Sequence, residues 1–294
     1  MRRVLSIEKP ENPLPVVFDS PHSGHDYPAD FNPACPIGEL HTAEDMYVDE
    51  LFAEAPAHRA PFLKALFPRS YIDPNRAADD IDPTLLDGAW PADTYGPINP
   101  SRRSDAGIGL IRRLLTPGKP LYNRSLSAAE IMARIDGYYR PYHTALEELL
   151  DEAHYNYGQV WHINCHSMPA STATPHKPHS LYLGQPRTLD IVLGDRSGTT
   201  CGRNFVHAVR DMFRDMGYNV GVNDPFKGAE LIKRYAQPTR GRHSLQIEIN
   251  KALYMNESTF TKTDNFLALK GDLSNFIAFC TDWAQAQNKT LAAD

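Results

Sequence analysis

Three short segments concentrate the residues of this chain that are able to do chemistry: Ser20-Pro21-His22-Ser23-Gly24, Asn164-Cys165-His166-Ser167 and Gln246-Ile247-Glu248-Ile249-Asn250. The first two place a His just after an apolar, strand-like run, Pro15-Val16-Val17-Phe18-Asp19 and Gln159-Val160-Trp161-His162-Ile163. The third sets a Glu inside such a run. In α/β proteins, side chains that act on ligands gather where strands give way to loops. Two imidazoles and a carboxylate delivered to such an edge suit a metal-dependent hydrolase. A catalytic zinc ion takes three protein ligands from His and Asp or Glu and keeps one position open.

Each of these residues also has an ordinary reading. A single His after a strand is commonly structural, although Ser23-Gly24 allows a sharp turn beside a ligand at His22. His162, Asn164 and His166 share one face of an extended segment. One of the two His suffices as a ligand, and His166, expected at the strand end, is the better placed. The third ligand should be a carboxylate, and Thr42-Ala43-Glu44-Asp45 offers two. The competing reading there is a helix start, with Thr42 as N-cap and the acids favouring the helix dipole. Alternation puts Gln246, Glu248 and Asn250 on one face of a strand and Leu245, Ile247 and Ile249 on the other. Glu248 is then either part of a solvated face on an edge strand or a general base that activates water and later protonates a leaving amine. A serine hydrolase built on Ser23 or Ser167 lacks the G-x-S-x-G elbow. Cys165 reads as a small buried apolar residue before it reads as a nucleophile.

Positioning such a site requires a sheet. Strands are expected at Pro15 to Phe18, Ser70 to Ile72, Val160 to Asn164, Ser180 to Leu183, Ile191 to Leu193, Asn219 to Val222 and Ser244 to Ile249. Helices alternate with them: Met46 to Ala55, Ala128 to Ala153 with Ile131, Ile135, Tyr138, Tyr142, Leu146 and Leu150 on one face, Cys201 to Gly217, and Ser258 to Ala286. This alternation predicts an α/β fold in a single domain, with a mixed, mostly parallel sheet and helices on both faces. Pro83 to Pro120 is rich in Pro, Gly, Asp and Arg and reads as a loop-rich insertion. Gly194 to Cys201 is a small-residue turn into a helix, either an anion receptor or an ordinary N-cap.

With 294 residues, 41% of them hydrophobic, the chain can bury a full core. Its net charge of -6 gives no reason to expect nucleic acid as a partner. No stretch approaches the length of a membrane span. Glu8 and Glu11 interrupt the N-terminal run that a signal peptide would need. The four cysteines have no CxxC pairing, which argues against a Cys-rich metal site or a disulfide framework. A soluble, cytoplasmic protein acting on a small molecule is the expectation.

Several further segments occur together and in order: Phe18-Asp19-Ser20-Pro21-His22-Ser23-Gly24, Tyr71-Ile72-Asp73-Pro74-Asn75-Arg76, Cys165-His166-Ser167-Met168, Phe226-Lys227-Gly228, Arg234-Tyr235-Ala236-Gln237-Pro238 and the run from Gly241 through Asn250 to Tyr254-Met255. In these the chain resembles the N-formylglutamate amidohydrolase family, itself similar to zinc carboxypeptidases and aspartoacylase-like amidohydrolases. The resemblance implies one zinc ion held by His22, Asp45 and His166, with Asp45 preferred to Glu44, and Glu248 as the base. It implies Asn75-Arg76 as the grip on a substrate carboxylate, where a salt bridge from Arg76 to Asp73, Asp79 or Asp80 is the competing reading. Arg234, Lys227 and Arg196 are the further candidates for a second carboxylate or the oxyanion. The implied substrate is an N-acyl amino acid, N-formyl-L-glutamate foremost, in amino-acid catabolism such as histidine degradation. A carboxypeptidase-like or other acyl-amino-acid hydrolase, or a non-catalytic binding protein on the same fold, is the alternative. One departure stands out: Asn164 occupies the place, two before the second His, where the family usually has an acid.

Overall fold

The computed structural model describes residues 3–176 and 188–291, the last three by backbone alone. The strand expected at Ser180 to Leu183 lies outside the described residues. The chain sorts into two compact units. Met1–Ser6, Pro21–Met46 and Lys64–Leu146 form the first, and Ile7–Ser20, Tyr47–Leu63 and Glu147–Asp294 form the second.

Seven strands make the main sheet: β1 (Leu5–Glu8), β2 (Val16–Ser20), β3 (Phe62–Ala65), β4 (Val160–Met168), β5 (Ile191–Gly194), β6 (Val220–Val222) and β7 (Arg242–Asn250), in the spatial order β1-β3-β2-β4-β7-β5-β6. It belongs to the second unit, apart from the residues of β1 and β3 counted with the first. β2 runs parallel to β4, β4 to β7 and β5 to β6, and only the β5–β7 pair among these is antiparallel. The fold class is thus α/β with a mixed, mostly parallel sheet. Two strands, β1 and β3, have no expected counterpart. Ser70 to Ile72 is not a strand. It is a buried turn beside Pro68, with Tyr71 N–H donating to the Pro68 carbonyl at 3.0 Å.

The two faces of the sheet differ. Val16 and Phe18 with Trp161, Ile163 and Cys165 and with Leu245, Ile247 and Ile249 form an apolar face. Helices α3 (Arg203–Asp215) and α5 (Phe266–Leu291) cover it, through ring contacts of Phe205 with Trp161 and of Phe276 with Phe18. The opposite face is polar and still buried, and α4 (Glu230–Tyr235) sets Tyr235 edge-on to His162 there.

From the first unit, α1 (Ala128–Arg134) passes through a π turn at Ile135–Tyr139 into α2 (Arg140–Tyr157), whose residues from Glu147 on count with the second, so the expected long helix contains one wide turn, at Gly137. That turn aims Tyr139 and His143 at the Asp73–Arg76 loop. Tyr139 Oη–H donates to the Arg76 carbonyl at 2.9 Å, and His143 Nε2 lies 2.9 Å from the Pro74 carbonyl. Met46 to Ala55 shrinks to one helical turn, Val48–Leu51 in the second unit, which starts only after the left-handed Tyr47 (φ 65°) and ends where Phe52 leaves the helical conformation (φ -98°, ψ 10°). The Pro83 to Pro120 stretch lies wholly in the first unit. It folds into the short turns Pro83–Leu85, Ala92–Tyr95 and Arg102–Asp105 and the hairpin Leu114–Thr116 with Lys119–Pro120.

Candidate functional site

The polar face of the sheet carries the first group of candidates. β4 is longer than its expected span, so His166 sits inside it rather than just past its end. The parallel register pairs His166 with Glu248 and Asn164 with Gln246, and one strand over it pairs Asn164 with Asp19. Neighbouring strands are about 5 Å apart, so paired residues stand side by side. Glu248 is only 8% exposed, and its strand lies between β4 and β5, which removes the edge-strand reading. Gln246 Nε2 donates to Glu248 Oε1 at 2.7 Å, and Ala229 N–H donates to Gln246 Oε1 at 3.1 Å.

Asn164, the departure from the family pattern, forms part of a relay. Its Nδ2 donates to Asp19 Oδ1 at 2.8 Å, and that bond turns its Oδ1 toward His166, whose Nε2 lies 2.8 Å away. An amide oxygen only accepts, so His166 Nε2 carries the proton and Nδ1 keeps the ring's lone pair. Asp19, fully buried, also accepts from His162 Nε2 at 2.8 Å. A carboxylate thus acts on His166 through an amide, and His162 is held in the same network.

The first unit holds the second group. β2 ends at Ser20, and two residues later His22 is buried. Its Nε2–H donates to Asp73 Oδ1 at 2.7 Å, and its Nδ1 lies 3.3 Å from Asp45 Oδ2. A His fixed through one ring nitrogen by a carboxylate presents the other in a set direction, as metal-ligating His do. Asp45, not Glu44, stands beside His22. Glu44 Oε1 accepts from Tyr27 Oη–H, and its Oε2 lies 2.8 Å from His41 Nδ1. Neither acid starts a helix: His41–Ala43 is a 3₁₀ turn without a side-chain cap. Gly24 lets this loop run hard against the chain at Ala65–Phe67, because a methyl there would meet three backbone atoms within 2.6 Å.

Asp73 is the hub of this half. It accepts from Arg69 Nη2 at 2.8 Å and from Asn75 N–H at 2.9 Å, with Arg76 Nη2 at 3.9 Å. Burial alone would raise its pKa, but Arg69, His22 and Arg76 outweigh that and hold it well below the usual carboxylate range. Arg76 is buried too, and burial brings its pKa down to about 10. Its Nε donates to the Ile108 carbonyl at 3.1 Å and its Nη1 to the Asn75 carbonyl at 2.8 Å. Three of its five N–H groups are left beyond these two bonds.

The other expected cations sit differently. Arg234 is exposed, its guanidinium 5.7 Å over the Tyr235 ring, and it lines a cavity of about 300 Å³ with His154, Arg240 and Arg242. Lys227 is exposed, and its carbonyl accepts from Arg196 N–H at 2.8 Å. Arg196 is half-buried, with Nη1 3.3 Å from the Gly228 carbonyl. In the turn after Gly194, Asp195 Oδ1 takes the Gly198 N–H and Asn223 Oδ1 takes the Ser197 N–H, which favours an ordinary self-capped turn. Asp19, Asp73 and Arg69 are not among the sequence candidates for the site. Asp19 and Asp73 do lie inside the quoted motifs, and an acid beside a ligand motif is the signal that marks them.

Nucleophilic alternatives lose ground here. Burial, with Asp19 nearby, pushes the Cys165 thiol well above its ordinary value, so it stays protonated. Ser167 alternates onto the apolar face, away from His166. Ser23 Oγ–H donates to the Asp45 carbonyl at 3.0 Å.

Comparison with known proteins agrees with this architecture. The model of a family described as N-formylglutamate amidohydrolase matches residues 14–255. The chain is 27% identical over 267 residues to an N-formylglutamate deformylase of Pseudomonas aeruginosa, covering 87% of each. It is 26% identical over 266 residues to one of Pseudomonas putida, covering 88% of this chain and 87% of that one. Among solved structures, an N-formylglutamate amidohydrolase from Ralstonia eutropha JMP134 superposes with a TM-score of 0.89 at 42% identity, covering 97% of this chain and 99% of that one.

Proposed function

The chain belongs to the N-formylglutamate amidohydrolase family, and from that premise we propose that it hydrolyses the amide of an N-acyl amino acid, most specifically N-formyl-L-glutamate to formate and L-glutamate, with one zinc ion. The pairing of Glu248 with His166 on a buried polar face carries this reading. His22, Asp45 and His166 would hold the metal. Each is buried and offers one donor atom. Two imidazoles and a carboxylate are the donor set of an open catalytic zinc site. The Nε2 atoms of both His are engaged, by Asp73 and by Asn164, which fixes how the rings stand. His22 follows β2 by two residues, and β2 is the parallel neighbour of β4, so chain continuity supports their convergence. The ion would supply Lewis-acid polarisation of the carbonyl and of water.

Glu248 takes a proton from water as the water oxygen attacks the formyl carbon. It then returns that proton to the amine nitrogen as the C–N bond breaks, releasing formate. Gln246 Nε2 holds Glu248 through Oε1 and so fixes the orientation of the carboxylate. Asn75 and Arg76 anchor a substrate carboxylate, Arg76 through the N–H groups its backbone bonds leave over. No helix among the described residues is long and apolar enough to cross a membrane.

The test is formate release from N-formyl-L-glutamate by zinc-loaded protein, beside N-formyl-L-aspartate, N-acetyl-L-glutamate and the Glu248→Gln variant. Selective release that falls by at least about 100-fold in the variant, with zinc still bound, is expected. Zinc-loaded protein that releases no formate from N-formyl-L-glutamate would overturn the reading.

A further inference from the structure

Arg112 has no role in the site as described so far. It is 8% exposed, and its Nε is buried without a hydrogen-bond partner. Among the described residues its guanidinium makes no ion pair. Buried guanidinium groups are normally matched by a carboxylate and a full set of acceptors, because an unmatched one forfeits its hydration. The charges acting on it are Arg69 and Arg76, both cations, against Asp73 and Asp45. Asp73 is engaged by Arg69 and His22, and Asp45 stands beside His22. Burial, with Arg69 and Arg76 adding to it, brings the Arg112 pKa down to about 9. A group so placed gains by acquiring an anion.

Its position is fixed against the substrate-anchoring loop. Asp73 N–H donates to the Leu110 carbonyl at 2.9 Å, and Arg76 Nε donates to the Ile108 carbonyl at 3.1 Å. Ile108 and Arg112 pair across a tight antiparallel bridge. The stretch that bears Arg112 is therefore tied to the Asp73–Arg76 loop by two hydrogen bonds, one from each end of that loop. The expected sources of a second cationic contact are exposed (Arg234 and Lys227) or bonded to the Gly228 carbonyl (Arg196).

We propose that Arg112 binds the side-chain carboxylate of a dicarboxylic N-acyl amino acid, and so sets the preference for N-formylglutamate over its uncharged analogues; this rests on the function proposed above. The planar fork of an arginine suits a carboxylate through two parallel N–H···O bonds. Occupation by that carboxylate neutralises the excess positive charge beside Asp73.

The experiment compares kcat/KM for N-formyl-L-glutamate and N-formyl-L-glutamine in the zinc-loaded wild-type, Arg112→Gln and Arg112→Lys proteins. Glutarate and butyrate are also titrated as thermal-shift ligands. The expected result is a loss of about 10- to 100-fold for N-formyl-L-glutamate in Arg112→Gln, with N-formyl-L-glutamine little changed. Arg112→Lys, which keeps the charge but not the fork, recovers part of the preference, and glutarate loses its stabilising effect in Arg112→Gln while butyrate keeps its own. An equal fall for both substrates, or unchanged stabilisation by glutarate, overturns the proposal. If Arg112→Gln does not fold, the Arg112→Lys ratios and its glutarate titration decide by the same criteria. A wild type that turns over neither substrate refutes the proposed function instead.

Discussion

Replacing Gly24 by alanine tests whether the loop carrying His22 is fixed by backbone contact alone. The added methyl would lie 2.4 Å from the Leu66 carbonyl carbon, 2.5 Å from the Phe67 carbonyl oxygen and 2.6 Å from that of Ala65. Ordinary contact begins at 3.4 Å, and main-chain atoms cannot rotate out of the way as a flexible side chain can. Relief of the overlap demands a displacement of about 1 Å in the loop, and misplacement on that scale costs on the order of 100-fold in rate. The displaced loop also carries Ser23, bonded to the Asp45 carbonyl at 3.0 Å, and Asp26, whose N–H meets the Leu66 carbonyl at 2.8 Å. Stability should fall by about 1–3 kcal/mol, the usual cost of forcing a methyl into packed space. Formate release and urea unfolding are measured on Gly24→Ala beside Gly38→Ala, a helical glycine with nothing within 4 Å of its would-be methyl. A Gly24→Ala protein as active and as stable as the Gly38→Ala control would refute the reasoning.

Two other perturbations probe the network and the fold. Asp19→Asn removes the charge behind Asn164 and should weaken zinc affinity by about ten- to a hundredfold, read by competition with a chromogenic chelator; unchanged affinity would show that the amide alone orients His166. His243 stacks on Trp161 with ring centroids 5.4 Å apart and accepts the Gly202 N–H at Nδ1, and burial holds its pKa below the ordinary 6.5. The unfolded chain therefore takes up this proton at a higher pH than the folded one does, so the stabilisation is complete above pH 6.5 and fades as pH falls toward the folded pKa. Between about pH 7 and 5, the unfolding free energy of His243→Phe should decline less steeply than that of wild type, and equal slopes would rule His243 out as the source.

Local pattern in the sequence specifies five of the seven strands of the main sheet and, within the long ones, the direction of the side chains. Alternation in Leu245 to Asn250 predicts an apolar face and a Glu248 face, and both exist, because the period of two is a local property of extended chain. The motif with His162, Asn164 and His166 on one side follows from the same rule. Local pattern also anticipated the helix ended near Gly217, whose φ is 95°. It misjudged Met46 to Ala55, where one helical turn starts only after the left-handed Tyr47 despite an amphipathic pattern. Which acid serves which histidine was decided only by tertiary structure. Asp73 reaches His22 from 51 residues away, and Asp19 reaches Asn164 from 145. A carboxylate looks the same in a sequence whether it is solvated or buried against a guanidinium, and the difference arises from desolvation and long-range pairing. Glu248 could belong to an edge strand until the sheet order put β4 on one side and β5 on the other. Arg112 shows the limit most plainly: next to Arg113 in the chain it is one of two basic residues, and only packing buries its Nε without a hydrogen-bond partner among the described residues, while Arg113 pairs with Asp82 at 2.7 Å.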